Sequence, residues 1–234
     1  MSAQHPNGGG SLASASDIPP PGPGLRAAVQ TMEAVRTRVP LRTLALITGV
    51  MILMPVVFLL RGTRRDLAAL PAAWVVGMAI AWTLGLLVSL LPAVLPRKGE
   101  VLPDAGRAAR FAGFAGFGLM LLGLFATVNA PGITRIPEAN WAAFSHGWSH
   151  CIASSLAIIA PVLLVGALAL RRVFPVGETQ AGAALGAAGG TAAGLTLHFT
   201  CGIGGGLHVG LAHAGAIAVG ALLGMLLLHR PLRS

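Results

Sequence analysis

The sequence is dominated by six runs of roughly 20 apolar residues, the length that carries an α-helix across a hydrocarbon core at about 1.5 Å per residue. They cover residues 41–60, 72–95, 111–130, 151–170, 181–200 and 210–228, and apart from Arg42 at an edge their interiors contain no Lys, Arg, Asp or Glu. Only 10% of the 234 residues are charged and the mean hydropathy is +0.78. A soluble domain carries about a quarter charged residues, so the polar surface needed to cover a water-soluble globule is missing. The pattern predicts an all-α, polytopic membrane protein with six transmembrane helices.

Residues 1–24 are rich in Gly, Ser and Pro and cannot build a core, which predicts a disordered tail. No apolar stretch follows a basic start there, so a cleaved signal peptide is not expected and the first run would act as an uncleaved anchor. Over residues 25–40 the pattern changes: Leu25, Val29, Met32 and Val35 recur at helical spacing while Arg26, Gln30, Glu33 and Arg36 fall largely elsewhere. This predicts a short amphipathic helix ending before Pro40. Residues 41–230 then form the membrane domain. In the fourth run Pro161 is a candidate kink. The fifth run is mostly Ala and Gly and is the weakest of the six by transfer energy. Its Gly182, Gly186, Gly190 and Gly194 recur at every fourth position, a small-residue face that admits a close helix, either within the bundle or in a homodimer.

The formal net charge of +9 suggests nucleic acid at first sight, but the 16 basic residues form no compact patch. They sit between the apolar runs. With the N-terminus in the cytoplasm, the inner segments carry Arg26, Arg36, Arg38, Arg42, Arg97, Lys98, Arg107, Arg110, Arg171, Arg172, Arg230 and Arg233. The outer loops carry only Arg61, Arg64, Arg65 and Arg135. This bias predicts a membrane protein with both ends cytoplasmic and no direct nucleic-acid role.

Transporters and proton pumps normally place ionisable groups inside their spans, and none lie there. Gly-x-Ser-x-Gly, Walker and His-Glu-x-x-His motifs are absent from the sequence. What remains is a concentration of His and Cys. His146, His150 and Cys151 lie at the start of the fourth run; His198, Cys201, His208 and His213 surround the turn between the fifth and sixth. The predicted topology puts both groups in one outer layer, with Trp141 and Trp148 as an interfacial belt. His146 and His150, four apart, share a helix face; His208 and His213, five apart, fit a shared face less well. Three readings stay open: a Cys151–Cys201 disulfide, a site for a soft or borderline metal such as zinc or copper, or interfacial histidines and small packing cysteines. A haem or copper redox protein is the rival class, and no other cofactor is expected.

The C-terminal half also carries a family resemblance. Trp148-Ser149-His150-Cys151, Ala160-Pro161, Arg171-Arg172, Pro175, then Leu197-His198-Phe199-Thr200-Cys201, His208 and Leu222-Leu223-Gly224 follow one another in an order that resembles the NrsF-type bacterial inner-membrane anti-sigma factors. The resemblance implies six helices, a short cytoplasmic N-terminal segment, an extracytoplasmic-function sigma factor as partner, and no enzyme activity. It also implies that two cysteines linked to signal sensing map to Cys151 and Cys201. The stripe Leu25, Val29, Met32 and Val35 would then dock into a groove of the sigma factor, with Arg26 and Arg36 pairing acidic groups of the partner or anionic lipid.

Overall fold

A computed structural model describes residues 40–95, 104–125, 141–170, 178–203 and 205–229, with the side chains of 40, 41, 43, 141–146, 170, 178 and 229 outside that description. The tail and the amphipathic segment expected over residues 1–39 lie outside the described residues. Six helices run α1 (Pro40–Arg61), α2 (Ala72–Val94), α3 (Ala105–Phe125), α4 (Trp141–Leu170), α5 (Glu178–Thr200) and α6 (Gly215–His229). A 3₁₀ turn, Leu67–Ala69, lies between α1 and α2, and a π-helical segment, His208–His213, leads into α6. There is no strand among the described residues, as the apolar runs predict.

Five of these helices are long and apolar enough to cross a membrane on their own, where the sequence predicts six: α1, α2, α3, α4 and the π segment continued by α6. The exception is α5, at 23 residues long enough to span but too rich in Ala and Gly. Its position explains this. It packs against α1, α2, α3, α4 and α6 and is buried along nearly its whole length. A helix enclosed by five others needs no apolar surface toward lipid. The outer helices carry that surface instead, with Leu60, Phe114, Leu164 and Leu226 each more than half exposed.

Small residues let the other helices reach α5. A Cβ added at Gly182 or Gly186 would fall within 3 Å of the Gly224 or Gly220 carbonyl, and one at Gly190 would strike the backbone of Ala216 and Ile217. Backbone therefore meets backbone along the α5–α6 seam. The fourth rung, Gly194, lies instead under the Trp82 ring of α2. The ladder is filled within the chain, so it is not free to serve a homodimer. Around this seam lie two apolar clusters. One gathers Ile47, Met51, Leu90, Val94, Ile159 and Leu185; the other gathers Met78, Trp82, Leu119, Ala187 and Ile217. Buried hydroxyls return to their own helices: Ser89, Thr191 and Thr196 each donate to the carbonyl four residues back at 2.8 Å.

Two helix starts differ from the periodicity. α3 begins at Ala105, not near Phe111, because Asp104 caps it. The Asp104 carboxylate accepts the Arg107 N–H at 3.0 Å. That backbone bond, more than any neighbouring charge, holds the Asp104 carboxyl below the usual carboxylate range. Arg107 and Arg110 consequently sit on the helix instead of in a loop. α4 begins ten residues before Cys151, at Trp141; the periodicity misses this start because Ser145, His146, Gly147, Ser149 and His150 interrupt the apolar residues of its first turns. Pro161 lies inside α4 without ending it.

The α5–α6 seam predicts a sharp contrast between glycines. Gly186→Leu drives a side chain into the Gly220 backbone and should lower stability in detergent by about 3 kcal/mol or abolish folding. Gly118→Ala, where an added Cβ meets nothing within 4 Å, should leave the unfolding midpoint unchanged. Equal effects would show that the seam is not closely packed.

Candidate metal and thiol centre

Both cysteines lie at the end of the bundle where α5 finishes. Cys151 is on the inner face of α4, 1% exposed. Cys201 follows the last residue of α5 and continues its winding, its N–H donating to Leu197 O at 2.8 Å. The thiols are free, with the sulfurs 3.5 Å apart, beyond the ~2.05 Å of a covalent bond. His208 and His213 complete the group from the π segment. His208 Nε2 lies 3.4 Å from Cys151 Sγ and 3.5 Å from Cys201 Sγ, and His213 Nε2 lies 4.0 Å from Cys151 Sγ. The two imidazoles meet edge to face with centroids 5.2 Å apart.

One ligand atom from each of these four residues lies within 4.8 Å of every other. A tetrahedral zinc-type ion bound by two thiolates and two imidazoles would set edges of about 3.8 Å between sulfurs and about 3.5 Å between sulfur and nitrogen. The Cys151–Cys201, Cys151–His208 and Cys201–His208 distances lie within about 0.3 Å of those edges, and Cys151–His213 at 4.0 Å is longer. His213 Nδ1 is buried with no partner among the described residues, so its ring is held by packing and by the sulfur side alone. Leu197, Ala212 and Trp148 wall the group. Gly147 leaves room for the lid of the site: a Cβ there would strike Ile203 and approach His208 Cε1 at 3.4 Å. Cys201, half-buried, is the donor nearest to the outside; the other three are buried.

The other predicted histidines are placed elsewhere. His198 donates to Val75 O at 3.1 Å and packs against the Trp74 ring, tying α5 to α2. His150 is exposed and outside the four-donor group. The His146 side chain lies outside the described residues. Leu25, Val29, Met32, Val35, Arg26 and Arg36 do as well.

Sequence reasoning missed a neighbour of the site. In the loop after α1, Arg64 is buried, 7% exposed, and grips Asp66 with Nε to Oδ1 at 2.7 Å and Nη2 to Oδ2 at 2.5 Å. The Arg64 N–H donates to Phe199 O at 2.8 Å, which staples this loop beside Cys201. The Arg64 hydrogen bonds hold the Asp66 carboxyl below its ordinary value, so the clasp persists at neutral pH and is lost only as pH falls through that lowered value. Of the three arginines Arg61, Arg64 and Arg65, Arg64 is therefore paired with a carboxylate. The spacing Arg-x-Asp was the available signal.

Across residues 28–233 the sequence matches the NrsF family model, described as negative regulator of sigma F. The chain belongs to the NrsF family. Negative regulation of a sigma factor from a membrane is thus the activity of its kind, and the expected family relation holds along nearly the whole chain. No curated protein and no solved structure matches it. Within this NrsF-family chain the four-donor group joins both cysteines to two histidines from a single segment.

Four donors sharing the roughly 10–16 kcal/mol typical of a structural zinc site imply about 100-fold in affinity per ligand. The full-length protein in detergent should bind one zinc(II) ion, and Cys151→Ser, Cys201→Ser, His208→Ala and His213→Ala should each weaken binding by about that factor. His150→Ala and His198→Ala should bind as the parent does. Equal loss in all six would show that binding is not at this site.

Proposed function

We propose that this protein is a membrane-held anti-sigma factor that keeps an extracytoplasmic-function sigma factor inactive and releases it when the Cys151/Cys201/His208/His213 site takes up a thiophilic metal ion. The observation that carries the reading is the four-donor geometry at one end of the bundle, within a family that regulates a sigma factor. Two thiolates and two imidazoles in tetrahedral reach select zinc-type, d¹⁰ cations over hard cations. The sequestering step is binding, and no catalytic group is required for it.

The orientation follows from the charges. Pro40, Val94, Ala105, Leu170, Glu178 and His229 end their helices at one side of the bundle, opposite the Cys/His group. The positive-inside bias puts that side in the cytoplasm and the thiols outside. A soluble sigma factor then meets the N-terminal segment 25–39, whose stripe of Leu25, Val29, Met32 and Val35 docks into an apolar groove, with Arg26 and Arg36 answering acidic groups at its rim. The family match reaches into this segment, beginning at residue 28.

A second reading has its own observation. Two free sulfurs in van der Waals contact need to move only about 1.5 Å to bond. An envelope oxidant that removes two electrons and two protons from the thiol pair would form the disulfide and deny both sulfurs to an ion.

The test is release in vitro. With the full-length protein in nanodiscs and its sigma factor bound, zinc(II) should free the sigma factor, while diamide acts only if the disulfide is the signal. Replacing Leu25, Val29, Met32 and Val35 together by Ser should abolish co-purification of the sigma factor. Retained binding would move the contact to the segment between α2 and α3.

A further inference from the structure

The last span does not start as a regular helix. Val209 N–H donates to Gly205 O at 2.9 Å in the ordinary α pattern, but Ala214 N–H donates to Val209 O at 3.1 Å, five residues back. Ile217 N–H then donates to Ala214 O at 3.0 Å, three back. Such π turns are rare and amount to one residue too many in an α-helix. Here the extra residue has a chemical effect. On an α-helix, positions five apart point about 140° away from each other. The wider turn brings His208 and His213 to the same side, and both face the thiols.

The extra residue cannot be expelled downward. Below it, α6 is held in one register by the contacts of Ala216, Gly220 and Gly224 with the α5 glycines. Above it the sequence reads Gly202-Ile203-Gly204-Gly205-Gly206, where four glycines allow the helix start to shift by one residue at little steric cost. The segment therefore has room for a second arrangement beside the one observed. In one, the π turn presents both imidazoles; in the other, an α turn presents one and withdraws the other.

The same segment touches α3 through its least bulky residue. A Cβ added at Gly123 would lie 3.1 Å from Gly210 Cα and N, and one at Gly210 would strike Leu124. Val209 Cγ1 already lies 3.2 Å from the Cβ added at Gly123, so rewinding to α would bring the Leu211 side chain toward Gly123 in place of Gly210. That displaces the outer end of α3, whose other end carries Asp104, Arg107 and Arg110.

We infer that the 208–213 turn is the protein's two-state element: an ion that needs both imidazoles binds only the π form, and rewinding to α drives a side chain against Gly123 and shifts α3. This rests on the metal reading of the four-donor site. An ion moves such an equilibrium only through its difference in affinity for the two forms, and here that difference is one whole ligand.

Deleting Leu211, an exposed residue, separates proposal from background. The deletion puts the two histidines four apart, so a plain α-helix holds both on one face and the register of α6 is kept. The four donors survive and the second arrangement is lost. In nanodiscs the deletion variant should bind zinc(II) within about threefold of the parent and no longer change its hold on the sigma factor when zinc is added. A parent-like zinc response overturns the proposal. If the variant does not fold, amide exchange in the parent decides: zinc should slow residues 209–214 by at least tenfold, and unchanged exchange there also overturns it. A parent chain that binds no zinc defeats the metal reading itself, a result visible before either comparison is made.

Discussion

Everything in this bundle is arranged around one contact, the meeting of two helix backbones along Gly182, Gly186 and Gly190 of α5 and Ala216, Gly220 and Gly224 of α6. In a bilayer there is no hydrophobic force to drive helices together, because lipid is as apolar as leucine. Close packing has to do that work, and it needs residues with no side chain in the way. Once α6 is held there, α5 is closed on its remaining sides by α1, α2, α3 and α4. The C-terminal end of α5 then delivers Cys201 to Cys151 on α4, and the turn before α6 delivers the two histidines.

The same constraint explains how one side of the site is held by regular helix and the other by a π turn. Cys151 is fixed within a 30-residue helix, and Cys201 is tied down by its bond to Leu197 and by the nearby Arg64–Asp66 clasp. His208 and His213 sit on a π turn above a locked helix and below a glycine-rich loop. Under the proposed function these donors recognise the ion and the π turn responds to it, in a family described as negative regulator of sigma F.

Much of this was legible in the sequence, for identifiable reasons. Apolar runs between charged loops announce membrane helices because lipid tolerates little else, and five of the six expected spans meet that standard alone. The glycine period announced a close seam, and its partner is α6. The helix starts were harder: arginines interrupt the first turns of α3, and Ser, His and Gly interrupt those of α4, so neither begins with an apolar run, and only the Asp104 cap marks the first. At the site, the concentration of His and Cys was plain, but the choice among histidines was not. His198 sits three residues from Cys201 yet turns toward Val75 and Trp74. His208 and His213, at the unfavourable spacing of five, are the two that join the thiols. The missing information was the π turn, which no residue type encodes and which packing against α5 and α3 imposes.

The central claim is that two sulfurs and two imidazoles act as one site. X-ray absorption of the full-length protein loaded with one equivalent of zinc(II) reads the donor set directly. The account predicts two sulfur scatterers at about 2.3 Å and two imidazole nitrogens at about 2.0–2.1 Å. A shell of nitrogen and oxygen alone, with no sulfur, would contradict it.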